Sequence, residues 1–244
     1  MSSALPWKRL THERAMLEEE NPDYKVFFED DNLLRFLAYI PAPDSSVYKH
    51  KLVKLLFEIP DSFPFEPPKV TFLSRGNHRI HPNFFPSNGT PFDGLVDILC
   101  SWWEIWRPGC SIHLLLMSIR PLFDHDPILQ SRRPLFDHDP ILQSQLPSDD
   151  MRDSVFNYNT FVRYVTWRVL LLDYFRHETH EPARRFLKSF IRERAARMME
   201  DFFTEREINK HTSTFVCILT RSSERADYDG LLRHLRAAIA DSML

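Results

Sequence analysis

Polar and apolar positions alternate with a period of two in two stretches of the chain. Leu34, Phe36, Ala38 and Ile40 share one face of the first, and Val53, Leu55, Phe57 and Ile59 share one face of the second. That period predicts two half-buried strands. Between them Pro41-Ala42-Pro43-Asp44-Ser45-Ser46 is turn chemistry, because proline fixes φ and short polar side chains bond their own backbone. The strands are therefore expected to be antiparallel neighbours joined by a hairpin connection. Ser62-Phe63-Pro64-Phe65-Glu66-Pro67-Pro68 cannot be helical and forms a stiff, shaped loop ahead of a short strand, Lys69 to Leu73.

Helical periodicity takes over elsewhere. Leu10, Met16 and Leu17 stand among Lys8, Arg9, Glu13 and Arg14, which predicts a surface helix over Leu5 to Glu20, ended by Pro22. The run from Ser111 to Leu122 predicts an amphipathic or buried helix, and Phe84 to Arg107 reads as irregular. Tyr158, Phe161, Val162, Val165, Val169 and Leu172 make one apolar helical face; Phe186, Phe190, Met198 and Phe202 mark another helix, and a last one runs from about Asp227 to Ser242. Arg120 to Ser131 recurs unchanged as Arg133 to Ser144, separated only by Arg132. Two such copies do not make a solenoid, which needs about three or more stacked units. The block reads as a local duplication or a gene-model artefact and is given no function.

Composition narrows the function classes. With 244 residues, 43% hydrophobic and 27% charged, the chain has enough apolar material for a sizeable core plus an extension. A net charge of −3 without long blocks of either sign argues against nucleic acid as a partner. Met1 to Leu10 lacks an apolar leader region and no stretch approaches the length of a membrane span, so no membrane is expected and the cytoplasm or nucleus is the expected location. The three cysteines, Cys100, Cys110 and Cys217, form no Cys-x-x-Cys pair and read as free thiols. His81, His125 and His138 share no face with a cysteine pair, so no metal is expected.

The order of these elements, with Ile80-His81-Pro82-Asn83 after the proline loop and Trp106-Arg107-Pro108 before the helix, resembles the core domain of ubiquitin-conjugating enzymes over roughly Leu5 to His180. Lys8-Arg9-Leu10 sits where the family's first helix is basic. Ser62 to Val70 looks like the family's Tyr-Pro-Phe-x-Pro-Pro-Lys-Val loop. Tyr158-Asn159-x-x-Val162-Arg163 and Asp227 to Leu232 are similar to the long, Z-type members. The resemblance implies an α+β fold, an antiparallel sheet with flanking helices, in a core domain over 1–180 that contains the duplicated segment 120–144. Residues 181–244 are then a C-terminal helical extension.

The family carries ubiquitin as a thioester on a cysteine and passes it to a lysine amine, for which a thiolate is needed because it is nucleophilic near neutral pH. The resemblance implies that Asn83 braces its loop and supports the oxyanion of the tetrahedral intermediate. Laid on this chain, however, the family pattern puts Phe92 or Leu95 at the cysteine position, and counting back from Trp106 returns to Leu95 or its neighbour. Neither side chain is a nucleophile. Cys100 is the nearest thiol, five residues beyond Leu95. It reads either as a small buried hydrophobe beside Trp102 and Trp103 or as a displaced nucleophile, with Asp124 or Asp126 beside the acceptor lysine.

Two functions follow. One is a variant without the usual cysteine that acts by binding ubiquitin, a ubiquitin-like modifier or another partner. The other is an active conjugating enzyme with its thioester on Cys100. No cofactor is expected in either case. Lys8, Arg9, Phe65, Pro108 and Gly109 occupy positions where the family meets activating enzymes and ubiquitin ligases, with Phe65 the leading candidate for an exposed aromatic anchor.

Overall fold

The computed structural model describes residues 4–29, 32–76, 78–82, 84–85, 94–96, 106–123, 127 and 151–244. The chain divides into two compact units, Met1–Arg132 and Arg133–Leu244. The boundary expected near residue 180 falls inside the second of them.

The first unit opens with α1 (Ala4–Glu18), whose Leu10, Glu13 and Leu17 recur at helical spacing and are all buried. Strands β1 (Lys25–Glu29), β2 (Asn32–Pro41), β3 (Leu52–Glu58) and β4 (Lys69–Phe72) then form an antiparallel meander. The predicted alternation is its register: Phe36 pairs with Phe57 and Ala38 with Leu55, and the rings of Phe36 and Phe57 stack at 4.7 Å. Cross-strand aromatic pairs of this kind are the unit of sheet stabilisation. The connection between β2 and β3 is longer than the predicted turn and reaches Lys51. The Ala42 amide bonds the Lys51 carbonyl at 3.1 Å, and His50 takes a left-handed φ of 68°.

Part of the stretch read as irregular is sheet. Strands β5 (Phe84–Phe85) and β6 (Gly94–Val96) extend the array to six strands in the order β1-β2-β3-β4-β6-β5. At two and three residues they are too short for periodicity to register. Helix α2 (Ile112–Ile119) follows, with Ser111 as its N-cap and Ile112, Leu115, Leu116 and Ile119 buried. Pro121 lacks the amide needed to continue it, and the chain tightens into a 3₁₀ turn, Arg120–Phe123.

In the second unit α3 (Met151–Trp167) runs through a π-helical turn, Arg168–Leu172, into α4 (Asp173–His177). The predicted apolar face is buried throughout. Helix α5 (Glu181–Ile208) begins with Pro182 in its first turn, where a missing amide costs nothing. A hairpin absent from the sequence reading, β7 (Thr214–Val216) and β8 (Ser223–Arg225), leads to α6 (Tyr228–Ser242). Tyr164, Trp167, Phe202, Phe215 and Tyr228 fill the space among these elements, with Tyr164 and Phe215 stacked at 4.3 Å. Asp227 caps α6 by accepting the Gly230 amide at 2.7 Å. A Cβ at Gly230 would lie 2.1 Å from that carboxylate, so the cap requires glycine.

Candidate functional site

The residues that lead into Asn83, Ile80-His81-Pro82, are anchored one by one. The Tyr48 hydroxyl donates to the Ile80 carbonyl at 2.5 Å. The Arg79 guanidinium donates to the Pro82 carbonyl from Nε at 3.1 Å and Nη2 at 2.5 Å. His81 is 1% exposed and flanked by the rings of Tyr48, Phe84 and Phe123, whose centroids lie 5.2 to 6.3 Å from its own. Burial pushes its pKa down to about 3, because an apolar cage disfavours the charged imidazolium. The neutral ring uses Nε2–H to donate to the Leu122 carbonyl at 2.8 Å. This histidine is a brace that ties the turn to the end of α2, not a proton-transfer group.

Beyond the turn, Phe84 begins β5. Leu95 is the central residue of β6, paired with Phe85 on one side and Thr71 on the other. Leu95, one of the two residues that the family pattern lays at the cysteine position, is thus held in the sheet by two neighbouring strands. A leucine there offers no lone pair for acyl transfer. Asn83, Phe92, Cys100, Asp124 and Asp126 lie outside the described residues.

The candidate partner surface rests on a second construction. Phe63 is buried, Pro64 follows through a cis peptide bond, and Phe65 is 76% exposed. Phe65 therefore does not pack beneath its own loop. Trp106, 5% exposed, closes over Phe63 with ring centroids 6.1 Å apart and donates from Nε1 to the Pro64 carbonyl at 2.8 Å. The next residues turn sharply, with the Cys110 amide bonding the Arg107 carbonyl at 2.8 Å, which leaves Pro108 and Gly109 exposed. Lys8 is also exposed.

Arg9 is differently placed. Its guanidinium pairs with Glu13 at 2.6 Å and donates to the Cys110 carbonyl at 2.9 Å. Glu13, 1% exposed, accepts the Ile112 amide at 3.0 Å, while Ser111 accepts that of Leu114 at 3.1 Å. The two side chains together satisfy two of the amides that a helix leaves unpaired at its start. The sequence signal was an Arg–Glu pair at i,i+4 on the face that also carries Leu10 and Leu17, a charged pair within a buried stripe.

Comparison with known proteins agrees with this architecture. A ubiquitin-conjugating enzyme from African swine fever virus is 29% identical over 116 residues, covering 47% of this chain and 52% of its own length. A zebrafish (Danio rerio) protein named ubiquitin-conjugating enzyme E2 Z is 24% identical over 229 residues, covering 91% of this chain and 64% of its own. The chain thus spans about half to two thirds of the length of these relatives. The crystal structure of a Plasmodium yoelii protein described as a ubiquitin conjugating enzyme superposes with a TM-score of 0.50 at 20% identity, covering 70% of this chain and 98% of that one. The fold is the same. The family model described as ubiquitin-conjugating enzyme matches residues 9–138, more than half of the chain: this chain belongs to the ubiquitin-conjugating enzyme family.

Proposed function

We propose that the chain uses the conjugating-enzyme fold to bind ubiquitin or a ubiquitin-like modifier, together with an activating enzyme or ligase, without carrying the modifier covalently. Leu95 carries this reading. It sits within β6, paired on both sides, and is one of the two residues, with Phe92, that the family pattern lays at the thiol position; neither an alkyl nor a phenyl group can hold an acyl intermediate. Phe65, Pro108 and Gly109, exposed on loops joined by Trp106, supply the kind of rigid apolar anchor on which binding energy concentrates. The cytoplasm or nucleus, where such partners occur, is the proposed location.

The test is to mix the purified chain with activating enzyme, ATP and ubiquitin and to run non-reducing gels with and without dithiothreitol. The expected result is no thiol-reducible band of added ubiquitin mass, while titration of isotope-labelled ubiquitin still shifts its resonances. A reducible band that vanishes in Cys100→Ser overturns the reading. It would establish the alternative, an active enzyme with a displaced nucleophile, Asn83 at the oxyanion and Asp124 or Asp126 at the acceptor lysine. One observation favours that alternative: the residues leading into Asn83 are braced by bonds from Arg79 to the Pro82 carbonyl and from His81 to the Leu122 carbonyl.

A further inference from the structure

The first copy of the duplicated segment has a built seat in the first unit. The Arg120 guanidinium pairs with Asp23 at 3.3 Å and donates to the Pro41 carbonyl at 3.4 Å. The Leu122 carbonyl accepts from His81 Nε2–H at 2.8 Å. Phe123 is fully buried, its ring centroid 4.9 to 5.3 Å from those of Tyr48, His81 and Phe84. Pro127 is buried as well. Each of these residues has an identical counterpart 13 positions downstream, in the same order: Arg133, Leu135, Phe136 and Pro140. The second copy lies outside the described residues. Its chemistry matches the seat as well as that of the first, and the two differ only in how they are joined to α2.

We propose that this seat has two registers. In one the first copy fills it, as in this structure; in the other Arg133 to Pro140 fill it, and residues 120–132 leave the surface as an excursion between Ile119 and Arg133. Ile119 is fully buried at the end of α2 and keeps its place in both. An excursion of 13 residues falls within the length of compact surface loops, about 6 to 16 residues, and Pro121 and Pro127 give it turn chemistry. Holding its ends together costs a factor on the order of 50 from the length-dependent part of loop closure. The first register therefore dominates, and the second is a minor state of the same fold. A partner reverses that order by binding the second register more than about 50-fold better than the first.

The registers differ in reach. With the first copy seated, residues 124–150 connect Phe123 to α3, which starts at Met151. With the second seated, only residues 137–150 connect the seat to α3. The exchange withdraws 13 residues of chain from that connection, up to about 45 Å of extended length, while the seat keeps the same set of contacts. Register thus sets the length of the tether between the two units, independently of whether the chain carries a thioester.

Amide hydrogen exchange of the full chain, read on peptides covering Tyr48 and Ile80 to His81, tests this. Truncating a buried phenylalanine to alanine with no replacement raises an opening equilibrium roughly 150- to 5,000-fold. With the second copy available, the rise in Phe123→Ala should stop near about 50-fold. Phe123→Asp should stop at the same level, because residue 123 then lies in the excursion and its chemistry no longer matters. In a chain with residues 132–144 deleted, which holds a single copy, Phe123→Ala should show the whole loss and Phe123→Asp should exceed it, since a carboxylate has no partner in that cage. Phe136→Ala should change exchange by no more than about twofold in the parent chain, yet restore the whole loss when added to Phe123→Ala. Should the single-copy chain not fold, that double substitution decides alone. Equal losses in the full and single-copy chains, a full-length Phe123→Asp that loses more than Phe123→Ala or fails to fold, or a Phe136→Ala that stays neutral beside Phe123→Ala would each overturn the proposal.

Discussion

Removing the carboxylate of Glu13 should loosen the first unit where α1 meets α2. In Glu13→Ala the Ile112 amide loses its acceptor and Arg9 loses the carboxylate 2.6 Å away. Loss of a helix cap costs about 0.5 to 2 kcal/mol. Stranding the partner of a fully buried ion pair costs roughly 3 to 5 kcal/mol, but the Arg9 side chain is 30% exposed, so water and the Cys110 carbonyl take up much of that loss. Together these give about 2 to 4 kcal/mol, which is roughly a 30- to 1,000-fold change in an opening equilibrium. Amide hydrogen exchange read on peptides covering Leu10 to Leu17 and Ile112 to Ile119 measures it directly. Glu13→Gln keeps an acceptor for Ile112 and should lose less. Protection in Glu13→Ala within threefold of the parent chain would show that α2 is capped adequately by Ser111 alone and would refute the reasoning.

Three other substitutions have defined outcomes. His81 is held neutral in the folded state down to about pH 3 but takes up a proton near pH 6.5 when unfolded. Its folded pKa is the lower one, so its linkage leaves stability intact above pH 6.5 and erodes it as pH falls toward 3, up to tenfold in the folding equilibrium per pH unit. Urea midpoints at pH 7.5 and 5 should differ more for the parent chain than for His81→Asn, and equal slopes would exclude the brace as drawn. Gly230→Ala places a methyl 2.1 Å from the Asp227 carboxylate and should lower the melting temperature of the second unit, at a cost of about 1 to 2 kcal/mol for the displaced cap. Phe65→Ala removes a ring that is 76% exposed, so melting should be unchanged while binding to a ubiquitin ligase falls at least tenfold; retained binding would remove Phe65 from the partner surface.

What could be read from the chain divides along physical lines. Alternation at Leu34 to Ile40 and Val53 to Ile59 was legible because burying one face of a sheet imposes its period on many residues at once. The helical faces of α3 and α5 were legible for the same reason. Strands β5 and β6 were not, since five residues in two pieces carry no measurable period, and the hairpin of β7 and β8 is equally brief. The π-helical turn at Arg168–Leu172 leaves no mark in an apolar run buried all round. Phe65 was recognised as a candidate, but its exposure had to come from the structure, because Phe63 two residues earlier has the same chemistry and is buried. Arg9 sat on the expected surface helix, yet only the fold shows its fork joined to Glu13 and the Cys110 carbonyl.

The hydrogen bond from Trp106 to the Pro64 carbonyl has a thermodynamic consequence. It makes the loop of Phe65 and the loop of Pro108 and Gly109 a single mechanical element, although they are far apart in the chain. A protein that docks on both pays the ordering entropy of neither, since both are fixed before encounter. Substitutions in the two loops should then fail to add: once Trp106 is replaced by phenylalanine, each loop becomes free to answer for itself, and a double-mutant cycle between Phe65 and Pro108 measured in that background should lose its coupling.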